Sequence, residues 1–380
     1  MMYARGYRFN PDSGKISSHG LLVVKSSPDG AQILLNQELK SATDTTISLV
    51  PGSYDLEIKK EGYKNWTKTI TIKEEEVTDI DASLFKSAPS LSALTFSGVI
   101  NPTASHDMSK IAYAVLPENK ADFSQKAGLW VMETVNLPIG FTKEPRRITD
   151  GDLSSASWIW SPDGREILVT TQTATYLLNT GSYTPQAQRV NVSANKNTVL
   201  ADWQAEEKKR LDSKLNNVPN DLTSILKTKA ESVLFSPNEE RLIYIASGSA
   251  TLPENLIKHL PGSSTQKEER KIEKGKAYVY DIKEDKNFLI NETAENMLLG
   301  SDMDGTEAKK IMWYPNSQNI VLSEKNMLTI MDYDGTNRQV VFAGAFINPY
   351  VFTTVSEERL LILTDIGGDK TPNLYTLTIK

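Results

Sequence analysis

The sequence predicts an all-β protein made of a small antiparallel β-sandwich and a β-propeller of about five four-stranded blades, with an inserted helical hairpin. Two observations predict this fold class. Five times in 380 residues a polar turn leads into a short apolar run of high β propensity, and these runs begin at Ile111, Ile167, Leu242, Ile320 and Leu360. Ahead of them, apolar and polar residues alternate between turns rich in proline and glycine. Repeated β units that cannot bury their own faces must stack around a common core.

The first predicted domain covers residues 18–86. About six short strands are readable there, and residues 54–58 alternate strictly between apolar and polar side chains. Glycine-containing turns separate the strands at residues 28–31 (PDGA), 51–54 (PGSY) and 61–63 (EGY). Alternation that is broken by such a turn about every 8 to 12 residues is typical of a small antiparallel sandwich.

These three turns resemble those of the PEGA domain family. Residues 28–31 are similar to the Pro-Glu-Gly-Ala signature that names the family, with aspartate in place of glutamate. Residues 51–54 and 61–63 match the family's second and third turns, and the resemblance covers roughly residues 20–85. It implies a non-catalytic surface or periplasmic module of bacteria or archaea.

The second predicted domain covers residues 90–380, after a polar, proline-containing linker at residues 86–90. Each apolar run is followed by a further strand, and outer fourth strands are readable at residues 288–290 and 339–342. Four strands per unit is the pattern of a propeller blade. The last unit shows only three strands, so we expect residues 91–96 to supply the fourth and close the ring.

The spacing of the repeats predicts insertions. Ile320 and Leu360 are 40 residues apart, which is a usual blade length, whereas the three earlier intervals are 56, 75 and 78 residues. Five blades account for the repeats, and a degenerate sixth blade near residues 284–308 is the alternative.

The turns of the repeats resemble the TolB-like β-propeller family, whose hallmark is Ser-Pro-Asp-Gly before an apolar strand. The best copy is residues 158–164 (WIWSPDG), and residues 330–338 (IMDYDGTNR) match the family's strand-turn segment. The resemblance covers roughly residues 95–380 and implies the fold but no single function, since such propellers serve as protein-docking platforms and as gating domains of serine peptidases.

Residues 197–230 predict a helical hairpin inserted between two blades. Leu200, Trp203, Leu211 and Leu215 recur at helical spacing, and Asn220 is the expected N-cap of a second, shorter helix. The apolar stripe either packs on the propeller or forms an arm that binds a partner. On the second interpretation, the candidate partner-binding residues are Trp203, Leu211 and Leu215.

A second insertion at residues 247–275 predicts a long loop inside the third blade. It adds Leu256 and Ile257 to the candidate partner-binding residues. Long loops in compact domains are usually functional or disordered. We therefore expect this loop either to cap the central channel or to remain mobile and solvated.

Composition excludes several classes of function. The net charge of −6 and the pI near 5.4 argue against nucleic acid as a partner, because binding phosphates needs a basic face. The absence of cysteine excludes disulfides, thiolate catalysis and cysteine-based zinc sites. No apolar run reaches the length of about 18 residues expected of a membrane span.

No catalytic, cofactor-binding or metal-binding residue is expected. The Gly-x-Ser-x-Gly motif of serine hydrolases is missing, and His19, His106 and His259 are isolated in the sequence. Residues 302–305 and 332–335 begin like calcium loops, but both lack the third acidic ligand and the closing glutamate. Asp-Gly turns between strands explain them better.

Two functional hypotheses remain. The first, implied by the two resemblances, is a non-catalytic, membrane-anchored extracytoplasmic protein of the bacterial envelope, in which the sandwich acts as a stalk and the propeller binds an envelope protein, a surface protein or a cell-wall polymer. The aromatic and basic residues 3–9 would then follow an anchor helix outside this chain; otherwise they are a frayed N-terminus. The alternative is the substrate-binding or gating part of an enzyme that processes glycans or peptides.

Overall fold

The computed structural model describes residues 8–10, 15–117, 126–135, 144–258, 264–301, 308–366 and 371–380. A short hairpin, β1 (Arg8–Asn10) and β2 (Lys15–Ser17), precedes the first domain.

The first domain is a sandwich of two sheets. Its strands are β3 (Gly20–Ser27), β4 (Gln32–Leu35), β5 (Glu38–Ala42), β6 (Thr45–Leu49), β7 (Gly52–Lys59), β8 (Trp66–Ile72) and β9 (Val77–Ser83). The two sheets have the strand orders β6-β3-β9 and β5-β4-β7-β8. Alternate side chains of both sheets, among them Leu22, Ile33 and Leu56, form one apolar core. The strand pairs are antiparallel except for β3 and β9, which pair in parallel.

The second domain is a propeller of five blades. Blade 5 includes β10 (Ser90–Ala93), and blade 1 follows it with β11 (Ile100–Ala104), β12 (Lys110–Val115), β13 (Gly128–Glu133) and β14 (Arg146–Asp150). Blade 2 has β15 (Ser157–Trp160), β16 (Glu166–Thr170) and β17 (Thr175–Asn179).

The helical hairpin α1 (Lys196–Leu215) and α2 (Asn220–Lys229) leads into blade 3. That blade has β18 (Ala230–Phe235) and β19 (Arg241–Ala246), then the side ribbon β20 (Ala250–Thr251) and β21 (Lys271–Ile272), then β22 (Ala277–Asp281) and β23 (Lys286–Asn291).

Blade 4 has β24 (Leu298–Leu299), β25 (Lys310–Trp313), β26 (Asn319–Glu324), β27 (Met327–Asp332) and β28 (Gln339–Ala343). Blade 5 is completed by β29 (Val351–Thr353), β30 (Arg359–Thr364) and β31 (Asn373–Thr378). The segment 284–308 contributes β23 and β24 to blades 3 and 4, so no sixth blade forms within its described residues.

The ring closes as the sequence predicts. β10, at the start of the propeller, pairs antiparallel with β31, at its end, so that Ser90 lies opposite Thr378 and Ala93 opposite Tyr375. β10 thereby covers the outer edge of β31, and one ladder holds the two ends of the domain together.

Blade 2 departs from the prediction of four strands per blade. It has three strands, and a single bridge between Tyr176 and Asn191 stands where the outer strand was expected. Beyond that bridge the backbone turns into a 3₁₀ helix at Ser193–Asn195 and then into α1. The helical hairpin therefore takes the chain away from the sheet before a fourth ladder can form.

The turn between the first two strands of a blade, here called the first turn, explains why the repeat folds alike. In blade 2 the hydroxyl of Ser161 donates to Asp163 (2.7 Å) and accepts the N–H of Glu166 (2.9 Å). Gly164 closes the turn with a φ of +67°, a left-handed conformation that glycine adopts without strain. Ser236 and Asn238 repeat the hydroxyl contact in blade 3.

Apolar clusters join neighbouring blades at four of the five junctions: blades 1 and 2, 3 and 4, 4 and 5, and 5 and 1. No apolar cluster of the described residues joins blades 2 and 3, and the helical hairpin packs on blade 3 there instead. Leu215, Leu222 and Leu226 pack on the face of blade 3 that carries Tyr244 and Tyr280. The hairpin therefore fills a position that a neighbouring blade fills elsewhere.

The start of the second helix differs from the prediction. α2 begins at Asn220 itself, and Pro219 occupies the N-cap position. The prediction of Asn220 as the N-cap was therefore wrong by one residue.

Candidate interaction surface

The topology gives the propeller two distinct ends. Apart from β24, which pairs in parallel with β25, strands alternate in direction within each blade. All five first turns, which in blade 4 means the turn between β25 and β26, therefore lie at one end of the ring, here called the first-turn end. The other end, here called the distal end, is where each first strand begins and where second and third strands are joined. The helical hairpin and the 247–275 loop are two long connections that extend from there back to the first-turn end. What covers each end decides which surface a partner can reach.

The sandwich covers the first-turn end at blades 4 and 5. Phe85, at the end of the sandwich, is buried in the cluster that joins these blades and meets the ring of Tyr314 edge-on, with the centroids 5.7 Å apart. The N–H of Lys86 donates to the carbonyl oxygen of Ile379 (2.8 Å). The polar segment that follows the sandwich therefore begins as a packed, hydrogen-bonded connection and not as a loose linker.

A buried group of charges lies between the sandwich and blade 4. Lys68 Nζ is 2.6 Å from Asp334 Oδ2 and 3.5 Å from Asp332 Oδ2. The indole N–H of Trp66 donates to the same Asp332 oxygen (3.0 Å), as does the side-chain amide of Asn337 (2.9 Å). Because removing charges from water is costly unless each finds a partner, this arrangement fixes the relative position of the two domains.

The buried contact shifts the pKa values of Lys68 and Asp332. Burial lowers the pKa of Lys68, but the nearby Asp334 and Asp332 outweigh it and hold the Lys68 pKa above its usual value. Burial raises the pKa of Asp332, and this effect together with the neighbouring Asp334 outweighs the lowering by Lys68. One ammonium thus faces two carboxyl groups, and Asp332 is the carboxyl that burial favours in its neutral form.

Residues 332–335, which resemble the start of a calcium loop in sequence, therefore form part of the contact between domains. The other segment of this kind, residues 302–305, lies outside the described residues.

The charged contact continues into blade 3. The guanidinium carbon of Arg241 is 3.9 Å from the ring centre of Tyr333, and Arg241 Nε is 2.7 Å from Asp281 Oδ2. Blade 3 also reaches the sandwich through its long loop, where the side-chain amide of Gln266 donates to the carbonyl oxygen of Thr69 (2.8 Å). In its described part the 247–275 loop therefore lies against the sandwich, so neither a cap on the channel nor a free loop describes it.

The second half of α1 covers the first-turn end at blades 1 to 3. Glu207 Oε1 is 2.7 Å from His106 Nε2 in the first turn of blade 1. Arg210 donates to the carbonyl oxygen of Pro162 in blade 2 (2.7 Å). In blade 3, Glu239 is 3.0 Å from Lys214, which lies near the end of the same helix. The sandwich and α1 together therefore contact the first-turn end around most of the ring.

The structure separates the five predicted partner-binding residues. Leu215 is only 4% exposed, and Leu211 and Leu256 pack on the same cluster at blade 3, so these three side chains stabilise the hairpin and the loop. Trp203 and Ile257 are half-buried. A binding role for these two residues stays a prediction.

Three large apolar side chains of high exposure lie at the distal end, around blade 5. Phe96 is 83% exposed, Ile366 56% and Ile347 40%. Phe96 precedes β11, Ile347 precedes β29 and Ile366 follows β30, which places all three at the distal end. Sequence reasoning missed them for two reasons. Phe96 was included in the predicted closing strand at residues 91–96, but that strand ends at Ala93, and Ile347 and Ile366 each stand alone in a connection without a periodic signal.

Histidines and possible metal ligands are dispersed among the described residues. These residues contain no cluster of three or more histidine or acidic side chains able to hold a metal ion. His106 pairs with Glu207 at the surface, His19 lies on the sandwich, and His259 is outside the described residues. The pairing of His106 with an exposed glutamate on α1 is a contact between secondary-structure elements.

Comparison with known proteins identifies the sandwich. Residues 19–88 match the PEGA domain family. No curated protein matches the chain in sequence.

Among solved structures, the chain is similar to β-propellers. The putative TolB from Agrobacterium tumefaciens is 10% identical, with 79% of this chain and 74% of that chain covered and a TM-score of 0.23. TolB from Acinetobacter baumannii is 13% identical, with 86% and 59% covered and a TM-score of 0.20. The β-propeller domain of the Trilobed protease from Pyrococcus furiosus is 13% identical, with 95% and 96% covered and a TM-score of 0.23. Scores this low carry no argument, so the assignment as a propeller rests on the strand pairing described above.

Proposed function

We propose that this protein is a non-catalytic component of the bacterial cell envelope that presents the distal end of its propeller to a protein or a cell-wall polymer. The observation that carries the proposal is the contrast between the two ends of the ring. The first-turn end is in contact with the sandwich and α1, whereas Phe96, Ile347 and Ile366 are exposed at the distal end. A contiguous exposed apolar patch marks an interaction site, and in this proposal the three side chains form one.

The PEGA domain supports an extracytoplasmic location, because proteins with this domain are commonly extracytoplasmic. None of the helices among the described residues is long and apolar enough to cross a membrane. In this proposal an anchor outside the given sequence holds the protein to the membrane. The sandwich then orients the propeller as a fixed base, since it is packed on blades 4 and 5 by Phe85 and Lys68.

The test is capture of envelope proteins and purified cell-wall polymer on the immobilised protein. The variant Phe96→Ser/Ile347→Ser/Ile366→Ser should lose the bound partner. The matched control is Val355→Ser, because Val355 is 48% exposed but lies in the first turn of blade 5. Equal capture by the wild type and the triple variant would contradict the proposal, and fractionation with the cytosol would contradict the envelope location.

A further inference from the structure

The sandwich has exposed edge strands on the side away from the propeller. Its edge strands β8 and β9 face the propeller, through Lys68 on β8 and through Ser83 on β9, which accepts a hydrogen bond from Asn316 (2.9 Å). The edge strands on the other side are β5 and β6, and neither has a further strand beside it among the described residues. Both sheets of the sandwich therefore end in an unpaired strand on the same side.

β6 lacks the features that normally protect an edge strand. Natural edges carry lysine, proline or a bulge, which prevents pairing with another chain. β5 follows this rule, because it has Glu38 and Lys40 and its pairing with β4 contains a shift in register. β6 reads TTISL, has no charge and no proline, and pairs with β3 in an unbroken register.

A groove between β5 and β6 opens onto the core of the sandwich. It has a volume of about 330 Å³ and is lined in part by Leu35, Leu49, Val50 and Tyr54. Leu49 and Tyr54 pack against the core but remain only partly buried, and Val50 is 55% exposed. The core is therefore incompletely covered where a neighbouring strand would complete it.

We propose that β6 pairs antiparallel with β6 of a second copy of this chain. The pairing would join the two sheets into one, in the order β9-β3-β6-β6-β3-β9. A two-fold axis at Ile47 places Ile47 opposite its own copy, Thr45 opposite Leu49 and Thr46 opposite Ser48. Because the strand is uncharged, no like charges meet across the axis.

The β5 edge is self-complementary as well. Glu38 and Lys40 form an ion pair within one chain (2.6 Å), and antiparallel pairing around Leu39, which is 63% exposed, would place each of them opposite the other residue of the second copy. An isologous contact requires one surface patch to complement itself, and both edges meet this condition. The propellers lie against β8 and β9, so they stay outside the contact.

A second copy fits this edge better than a charged peptide does. β6 offers no side-chain charge to select such a peptide, and the charged side chains of Glu38 and Lys40 in the groove already pair with each other (2.6 Å). The main-chain groups of β6 supply the hydrogen bonds of the pairing, as in other cases of strand addition.

The test is the mass of the full chain, measured by light scattering over a wide range of protein concentration. The wild type should rise from 42.2 kDa towards twice that mass. Thr46→Lys adds a charge to an exposed position of β6 and should remain a monomer at every concentration. Gln32→Lys adds the same charge to an exposed position of the interior strand β4 and should behave like the wild type.

Hydrogen exchange of the main chain makes the test specific for β6. Amides of residues 45–49 should exchange more slowly as the concentration of the wild type rises, and not in Thr46→Lys. A wild type that stays monomeric overturns the proposal, and so does a dimer that Thr46→Lys leaves intact. Protection of β6 that arises only on addition of an envelope extract would assign the edge to a strand from another protein and would also overturn it.

Discussion

Both the sandwich and the helical hairpin pack on the propeller in its described part, and their contacts are built differently. In the sandwich junction, between the sandwich and blades 4 and 5, the side chains of Lys68 and Asp334 are 9% and 0% exposed, and Phe85 is buried in the same junction. In the hairpin junction, between the helices and blades 1 to 3, α2 contributes buried leucines, but the ion pair of Glu207 and His106 is 43% and 45% exposed.

The two junctions differ in how much their ion pairs contribute to stability. A buried charge that loses its partner remains away from water, so breaking the pair is costly. An exposed ion pair is screened by solvent and contributes little. The sandwich junction should therefore depend on its charged and aromatic side chains, whereas the hairpin junction should depend on its leucines alone.

The largest expected effect comes from Phe85→Ala. Removing a buried aromatic side chain leaves a cavity between blades 4 and 5, and the free energy of unfolding should fall by about 3–5 kcal/mol. Chemical denaturation measures this value. Phe96→Ala is the matched control, since Phe96 is 83% exposed and its loss should change stability by less than about 0.5 kcal/mol. Equal effects of the two variants would contradict the described burial of Phe85.

Lys68→Met should follow closely, with a loss of about 3 kcal/mol in the free energy of unfolding, because Asp334 and Asp332 would stay buried without the ammonium. The contact between the domains should also become more susceptible to protease in this variant. Limited proteolysis and chemical denaturation measure the two effects.

The matched control for this variant is Lys64→Met. Lys64 also reaches blade 4 from the sandwich, but its ammonium donates an exposed hydrogen bond to the carbonyl oxygen of Val340 (2.7 Å) and leaves no buried carboxylate behind when it is removed. Its loss should change stability by less than about 0.5 kcal/mol. A stable Lys68→Met protein with unchanged protease resistance would show that apolar packing alone holds the sandwich.

In the hairpin junction the largest effect should come from Leu222→Ala. Leu222 is fully buried against blade 3, so its truncation should lower the free energy of unfolding by about 2–4 kcal/mol. Ile225→Ala, on the same helix but only partly buried, should cost less than half as much. Denaturation curves of the two variants give the comparison. If Ile225→Ala lowered the free energy of unfolding more than Leu222→Ala, a different face of α2 would have to pack on blade 3.

The smallest effect concerns Asp163, in the first turn of blade 2. The hydroxyl of Ser161, the N–H of Arg165 and nearby arginines hold the pKa of Asp163 below its usual value. A lowered pKa stabilises the folded state above the unfolded pKa, and this contribution is lost as the pH falls through the folded pKa. Asp163→Asn, which copies Asn238 of blade 3, should therefore flatten the acid limb of a plot of stability against pH. An unchanged acid limb would show that the Asp163 carboxylate does not contribute.

Much of the fold could be predicted because its signals are local. The Ser-Pro-Asp-Gly turn of blade 2 forms through contacts within six residues, from Ser161 to Glu166. A turn of this kind can therefore be predicted from its own short segment of sequence. The strand that closes the ring was predictable for a related reason. Blade 5 lacked one strand, and a closed ring leaves only the other end of the domain to supply it.

The candidate surface was less predictable, because exposure and contact depend on distant parts of the chain. Leu215 and Trp203 share one helical stripe in the sequence, yet Leu215 is buried on blade 3 and Trp203 is only half-buried. Phe96 was predicted to lie in the closing strand, but the strand ends at Ala93 and the fold leaves Phe96 exposed at the distal end.

By itself, the sequence determined the sandwich, the repeated turn, the helical hairpin and the closure of the ring, since each follows from periodicity and turn chemistry within a short segment. Only the tertiary structure decided that the sandwich is packed on the propeller and does not hang from a linker. Trp66 and Asp332, which meet there, are 266 residues apart. Contacts at such separations form when complementary surfaces meet in three dimensions, and no local pattern of residues records them.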